Sequence, residues 1–108
     1  MKFLYTAAAS ALLILGAPLA AAQPHPAEAA LSKAGCVACH AKDRKLVGPS
    51  FKEIAAKYKG QADVVPQLME KSRKGGKGNF GPIPMPPNPP EKISDADLKL
   101  VVEWILQQ

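Results

Sequence analysis

From Pro82 to Pro90 the chain reads PIPMPPNPP: six prolines in nine positions, out of eleven in all 108 residues. Proline has no backbone N–H and a locked φ, and it pushes the residue before it into extended conformations. This segment therefore cannot be a helix or the interior of a sheet. The fold has to be built from the remaining residues, with this stretch running across it as a stiff arm. The arm carries one soft side chain, Met85, bracketed by Pro84 and Pro86. Taken alone, it has the composition of a linker or of a polyproline peptide ligand. Its use has to be read from the rest of the chain.

The N-terminus begins Met1-Lys2 and continues FLYTAAASALLILGAPLAAA, ending in an A-x-A pattern at Ala20–Ala22 before Gln23-Pro24. This is the plan of a secretory signal peptide. A membrane anchor is the rival, because roughly 20 apolar residues can span a bilayer. Gly16, Pro18 and the closing alanines favour cleavage. Residues 1–22 are thus expected to be removed and residues 23–108 to form one domain. Loss of Lys2 lowers the formal net charge from +5 to +4 over the 86 residues left. A chain this short buries only roughly 60–65% of its unfolded surface. Small exported domains usually add disulfides, a metal or a cofactor. With two cysteines there is at most one disulfide, so something else must help fill the core.

The rest of the sequence predicts an all-α domain of about four short helices. Residues 23–26 read as a loose leader, and residues 27–35 as a helix stopped by Gly35. Residues 36–48 are mixed and loop-like after a first turn. Residues 49–60 read as a helix with Ser50 and Glu53 at capping-box spacing and Gly60 after its end. Residues 62–76 read as another, with Asp63 as cap and Pro66 tolerated in the first turn. Residues 94–108 are the clearest helix: Ser94 and Asp97 form a second capping box, and Leu98, Val101, Val102 and Ile105 repeat on one face. No stretch alternates as a strand, and there is no internal repeat.

The sequence Cys36-Val37-Ala38-Cys39-His40 is C-x-x-C-H, the pattern of c-type haem attachment. Residues three apart share one side of a helical turn, so two thiols there can each add to one vinyl group of a porphyrin edge. His40, next in the chain, can bind the iron. A thioredoxin-like redox pair would need a βαβ pattern that is absent. A zinc site would need four ligands, with His25 as the fourth from a proline-flanked tail.

The iron's sixth position has few candidates. Met69 shares a helix face with Val65 and Leu68 and reads as core filler. His25 lies near a mobile terminus. A vacant position would suit a ligand-binding or peroxidase-like haem. Met85 is favoured, because the prolines fix its backbone in advance and lower the ordering cost of binding a weak neutral thioether.

GCVACH, VGPSFKEIAAKYKGQA, GPIPMPPN and a last helix containing Trp104 together resemble the short bacterial class I cytochromes c, over roughly residues 27–107. The resemblance implies that fold, with the helices wrapped around one covalently bound haem c. It implies thioethers at Cys36 and Cys39, iron ligation by His40 and Met85, and the Pro49 carbonyl on the other nitrogen of His40. It places Asn88 near the Met85 sulfur and Trp104 where the first and last helices cross. Many relatives carry tryptophan just before GPIPMPP, its indole N–H on a haem propionate. Here the residue at that expected haem-contacting position is Phe80, which has no donor, and a lysine such as Lys77 is a candidate substitute.

The resemblance also implies a periplasmic electron carrier; with His40 and Met85 both on the iron no position is open to a substrate, so no enzyme activity is expected, and the protein is expected to be a monomer. It would pass single electrons among redox proteins such as reductases, oxidases, other cytochromes or cupredoxins. Residues 33–77 hold eleven Lys/Arg against four Asp/Glu, a net +7, whereas residues 91–103 are net −2. A basic rim at the haem edge, drawn from Lys33, Lys42, Lys45, Lys71, Arg73, Lys74 and Lys77, would steer acidic partners. No nucleic-acid motif is present, and no stable membrane insertion is expected.

Overall fold

The computed structural model describes residue 11 and residues 13–108. Much of the expected leader, residues 1–10 and 12, lies outside the described residues. Residues 13–25 form no helix or strand, and Leu13, Ile14, Leu15 and Leu19 are exposed. Among the described residues, no helix is long and apolar enough to cross a membrane.

Four α-helices follow, with no named strand among the described residues: α1 Pro26–Lys33, α2 Phe51–Tyr58, α3 Val64–Lys74 and α4 Asp95–Ile105. A 3-10 turn, Cys36–Ala38, lies between α1 and α2. The fold is all-α, as the sequence predicts. The long segment between α3 and α4 contains the proline arm.

The start of α1 differs from expectation. His25 and Pro26 are not a loose leader: Pro26 opens the helix, where its missing N–H costs nothing. His25 Nδ1 accepts from the Ala27 N–H at 3.1 Å, which ties the segment down. The α2 start is as expected. Ser50 Oγ accepts from the Glu53 N–H at 3.1 Å, and the Glu53 carboxylate accepts from the Ser50 N–H at 2.9 Å. At α4 only half of the box forms: Ser94 Oγ accepts from the Asp97 N–H at 3.2 Å. At α3, Asp63 occupies the cap position but makes no side-chain cap bond. Its backbone is left-handed, φ 56°, a conformation Asp tolerates better than most residues.

Helix α4 is the hub, and α1, α2 and α3 all pack on it. Ala27 and Leu31 from α1, with Ala34 capping its end, meet Phe51, Ile93, Leu98, Val101 and Val102 in one buried cluster. The spacing of Leu98, Val101 and Val102 puts them on one face of α4. Trp104 packs edge-on against Phe51, ring centroids 5.6 Å apart, and lies 6.4 Å from the His25 ring. Met69 packs against the same cluster. The core is thin, and its α4 face continues into a cavity.

Candidate haem site

One part of the cavity lining comes from the loop after α1. Cys39 and His40 both donate their backbone N–H to the Cys36 carbonyl, at 3.2 and 3.0 Å. This tight turn brings Cys36, Cys39 and His40 to the same cavity. Neither cysteine is in a disulfide. Burial pushes the Cys36 thiol up, so it stays protonated rather than becoming the activated thiolate of a redox pair.

The chain then doubles back. The Gly48 N–H reaches the Cys39 carbonyl at 2.8 Å, and the Phe51 N–H reaches Ala41 at 2.9 Å. These bonds deliver the Pro49 carbonyl to 2.7 Å from His40 Nδ1. A carbonyl can only accept, so Nδ1 carries the hydrogen and Nε2 keeps its lone pair for a metal. Phe51 stacks on the imidazole, with centroids 5.8 Å apart and planes 21° apart. Gly48 also lies against the ring: a Cβ there would stand 2.7 Å from Cε1 and 3.1 Å from Nδ1. The orientation of His40 is thus set by one hydrogen bond, one stacked ring and one glycine.

The proline arm supplies another part. Met85 and Gly76 exchange backbone hydrogen bonds, each 2.9 Å. Gly75 makes that approach feasible. It has φ 68° and ψ −152°, a region that is essentially glycine's alone. A Cβ on Gly75 would collide with the Met85 carbonyl and stand 2.9 Å from Pro86 C and Pro87 N. Farther along, buried Asn88 fastens the arm to the end of α3. Its N–H reaches the Ser72 carbonyl at 3.1 Å, and its side-chain amide donates to Ser72 and Pro86 carbonyls at 3.0 and 3.1 Å. Both amide hydrogens are therefore used on backbone oxygens. Arg73 donates back to the Asn88 carbonyl at 2.9 Å.

Cys36, Cys39, His40, Pro49, Met85 and Asn88 all line one cavity, which has about 1330 Å³ of atom-free space, part of it open to solvent. Its floor is apolar, with Leu31, Leu68, Leu98, Val101, Val102 and Ile105. Protein interiors are close-packed, so an apolar-lined space shared by all four helices and the proline arm in so small a domain fits an apolar guest. Two thiols, a correctly protonated imidazole and a thioether on its lining match haem c. Met69 does not line the cavity, and neither does His25, whose Nδ1 is occupied by the α1 cap.

Phe80 lines the mouth and is 38% exposed. The Lys57 ammonium lies 4.4 Å from its ring centroid and donates to the Asn79 carbonyl. A cation therefore sits against the ring of the residue that replaces the expected donor. Lys57 was not singled out by the sequence, whereas Lys77 was, and Lys77 also lines the mouth.

The expected basic rim holds only in part. Lys45, Lys71 and Lys77 line the mouth. Lys74 pairs with Glu70 at 2.6 Å, which raises the lysine's pKa and lowers the glutamate's. Lys42 lies 6.0 Å from the Trp104 ring centroid, and Lys33 is exposed at the end of α1. Arg73 does not belong to the rim: its side chain is 19% exposed and turned inward. The mouth also carries exposed Val47, Phe80 and Ile83.

Residues 27–108 match the family model for cytochrome c. The chain is 57% identical over 82 residues to cytochrome c2 of Rubrivivax gelatinosus, covering 76% of this chain and 95% of that protein. It is 57% identical over 72 residues to cytochrome c-551 of Azotobacter vinelandii, covering 67% and 84% respectively. The crystal structure of wild-type Nitrosomonas europaea cytochrome c552 superimposes with a TM-score of 0.68 at 44% identity, covering 73% of this chain and 95% of that one.

Proposed function

Because the chain belongs to the cytochrome c family and is a small monohaem electron carrier, we propose that it works in the periplasm with its iron held by His40 and Met85. Bound haem c supplies a one-electron couple between ferrous and ferric iron. The observation that carries the proposal is the convergence of two separately built supports on one cavity: a His40 imidazole oriented by Pro49 and a Met85 backbone fastened to Gly76. On this reading Cys36 and Cys39 form the thioethers, and residues 1–22 are a signal peptide removed on export.

Each residue then has a task. Pro49 holds the His40 tautomer, as partners of metal-bound histidines do. Phe51 and Gly48 keep the ring in one plane. The prolines and Gly76 hold the thioether ready on both sides of an electron transfer, so little rearrangement accompanies the change of charge. Methionine ligation in an apolar cavity raises the reduction potential. Held by both His40 and Met85, a bound haem iron would offer no position to a substrate, and no catalytic turnover is expected.

The docking face we propose is the mouth, which carries exposed Val47, Phe80 and Ile83 together with Lys45, Lys71 and Lys77. Apolar contact favours a small, short-lived interface, and the lysines speed encounter with acidic redox proteins. Partner reduction is expected to slow as salt rises.

The test is carbon monoxide added to the reduced protein at neutral pH. The wild-type spectrum is expected to stay nearly unchanged, while Met85→Ala binds carbon monoxide readily. Ready binding by the wild type would contradict the proposal and favour an open, ligand-binding haem.

A further inference from the structure

Arg73, near the end of α3, reaches three residues of the stretch from Asn88 to Asp95 that joins the proline arm to α4. Its guanidinium donates to the Asn88 carbonyl at 2.9 Å, to the Ile93 carbonyl at 2.7 Å and to the Asp95 carboxylate at 2.6 Å. The first partner ends the Met85 arm, the second lies just before α4, and the third opens α4. Asp95 is 82% exposed, so that ion pair contributes little. The two bonds to carbonyls are sheltered and charge-assisted, and such bonds are the stronger kind. In return, the Asn88 N–H bonds the Ser72 and Arg73 carbonyls, at 3.1 and 3.3 Å. Those carbonyls belong to the last turn of α3, which has no intrahelical donors for them. The end of the arm and the end of α3 thus hold each other reciprocally.

We propose that Arg73 is a positioning residue for the sulfur ligand. It clamps the arm at Asn88 to α3 and α4 and so sets how long Met85 stays on the iron. The proposal rests on Met85 being that ligand. The argument turns on where the arm meets fixed ground. Gly76, which pairs with Met85, lies just past the end of α3 and opens the exposed, glycine-rich loop 76–81. Asn88 instead meets the end of α3 directly and, through Arg73, the buried Ile93 that leads into α4. Pro86 and Pro87 lie between Met85 and Asn88, and their locked φ transmits a shift at Asn88 to Met85 rather than absorbing it. Lysine would be a poor substitute, because one ammonium lacks the planar fork that spans separate acceptors.

The experiment uses the ferric holoprotein well below its melting temperature. Added imidazole displaces the methionine, followed as loss of the weak far-red band of methionine-to-iron ligation. Arg73→Gln is expected to speed displacement roughly tenfold, the scale of losing a hydrogen bond from a charged donor. Arg73→Lys is expected to be intermediate, and it carries the same test if Arg73→Gln does not fold. Asp95→Asn is expected to stay close to wild type. Ala29→Gly weakens α1 on an exposed position away from the arm; it is expected to lower the melting temperature without changing the displacement rate. Wild-type rates in both Arg73 variants, or an acceleration in Ala29→Gly matching Arg73→Gln, would overturn the proposal. So would an Asp95→Asn effect as large as that of Arg73→Gln. A wild-type protein lacking the far-red band, or a Met85→Ala variant retaining it, would instead overturn the assignment of Met85, which separates the two failures.

Discussion

Gly75→Ala probes the support of Met85 without touching the ligand itself. Alanine at φ 68° and ψ −152° stands in a region that costs about 1–3 kcal/mol. Its Cβ would also collide with the Met85 carbonyl, and backbone cannot rotate aside as a side-chain tip can. Relief requires the arm to move from α3, which gives up one or both of the 2.9 Å bonds between Gly76 and Met85. Each contributes about 0.5–1.5 kcal/mol, so the strain and the lost bonds together come to about 1.5–6 kcal/mol. If 2 kcal/mol of that falls on the sulfur ligand, its hold weakens ~30-fold. The assay is an imidazole titration of the ferric protein, read at the far-red band, beside thermal melting. Gly78→Ala is the control: it has φ 108° but nothing within 4 Å of the added Cβ, so it brings strain without the collision. A Gly75→Ala protein that titrates and melts like Gly78→Ala would refute the claim that Gly75 exists to admit the arm.

Gly48→Ala should tilt the His40 ring, because its Cβ would fall 2.7 Å from Cε1; a shifted reduction potential and Soret band are expected, and an unchanged spectrum would count against it. Ser50→Ala removes the α2 cap and should cost ~1 kcal/mol, seen as a melting-temperature drop of about 4–8 °C with the far-red band intact. Met69→Leu should cost under about 1.5 kcal/mol as a volume-conserving core swap and leave the ferric spectrum as it is; loss of the far-red band would make Met69 the ligand instead.

Much of this site was legible because its chemistry is local in sequence. Cys36, Cys39 and His40 sit within five residues, and a single turn suffices to gather them. Met85 could be singled out because proline acts on its immediate neighbours. Ser50 and Glu53 are a local pair too, and the structure forms both of their bonds. The supports depend on contacts between distant segments and were not legible. Arg73 looks like any charged residue at a helix end, and only the fold shows it meeting Asn88 and Ile93 fifteen and twenty residues away. Lys57 reaches Phe80 across a similar separation. The glycines Gly48 and Gly75 left a faint signal, one directly before a proline and the other in a pair closing a helix. What each makes room for could not be read without the ring and the carbonyl opposite. His25 was misjudged for a different reason: proline on both sides suggested a loose tail, whereas Pro26 at the first helical position starts α1.

The central claim is that Met85 sulfur is held at the haem iron. The most direct measurement is a carbon–proton NMR spectrum of the ferrous protein labelled at the methionine methyl groups. A methyl held over the porphyrin plane lies in its ring current and is strongly shielded. The account predicts one strongly shielded methyl that disappears in Met85→Ala, with the Met69 methyl in the ordinary range. A shielded resonance that disappears in Met69→Leu, or no shielded methyl at all, would contradict it.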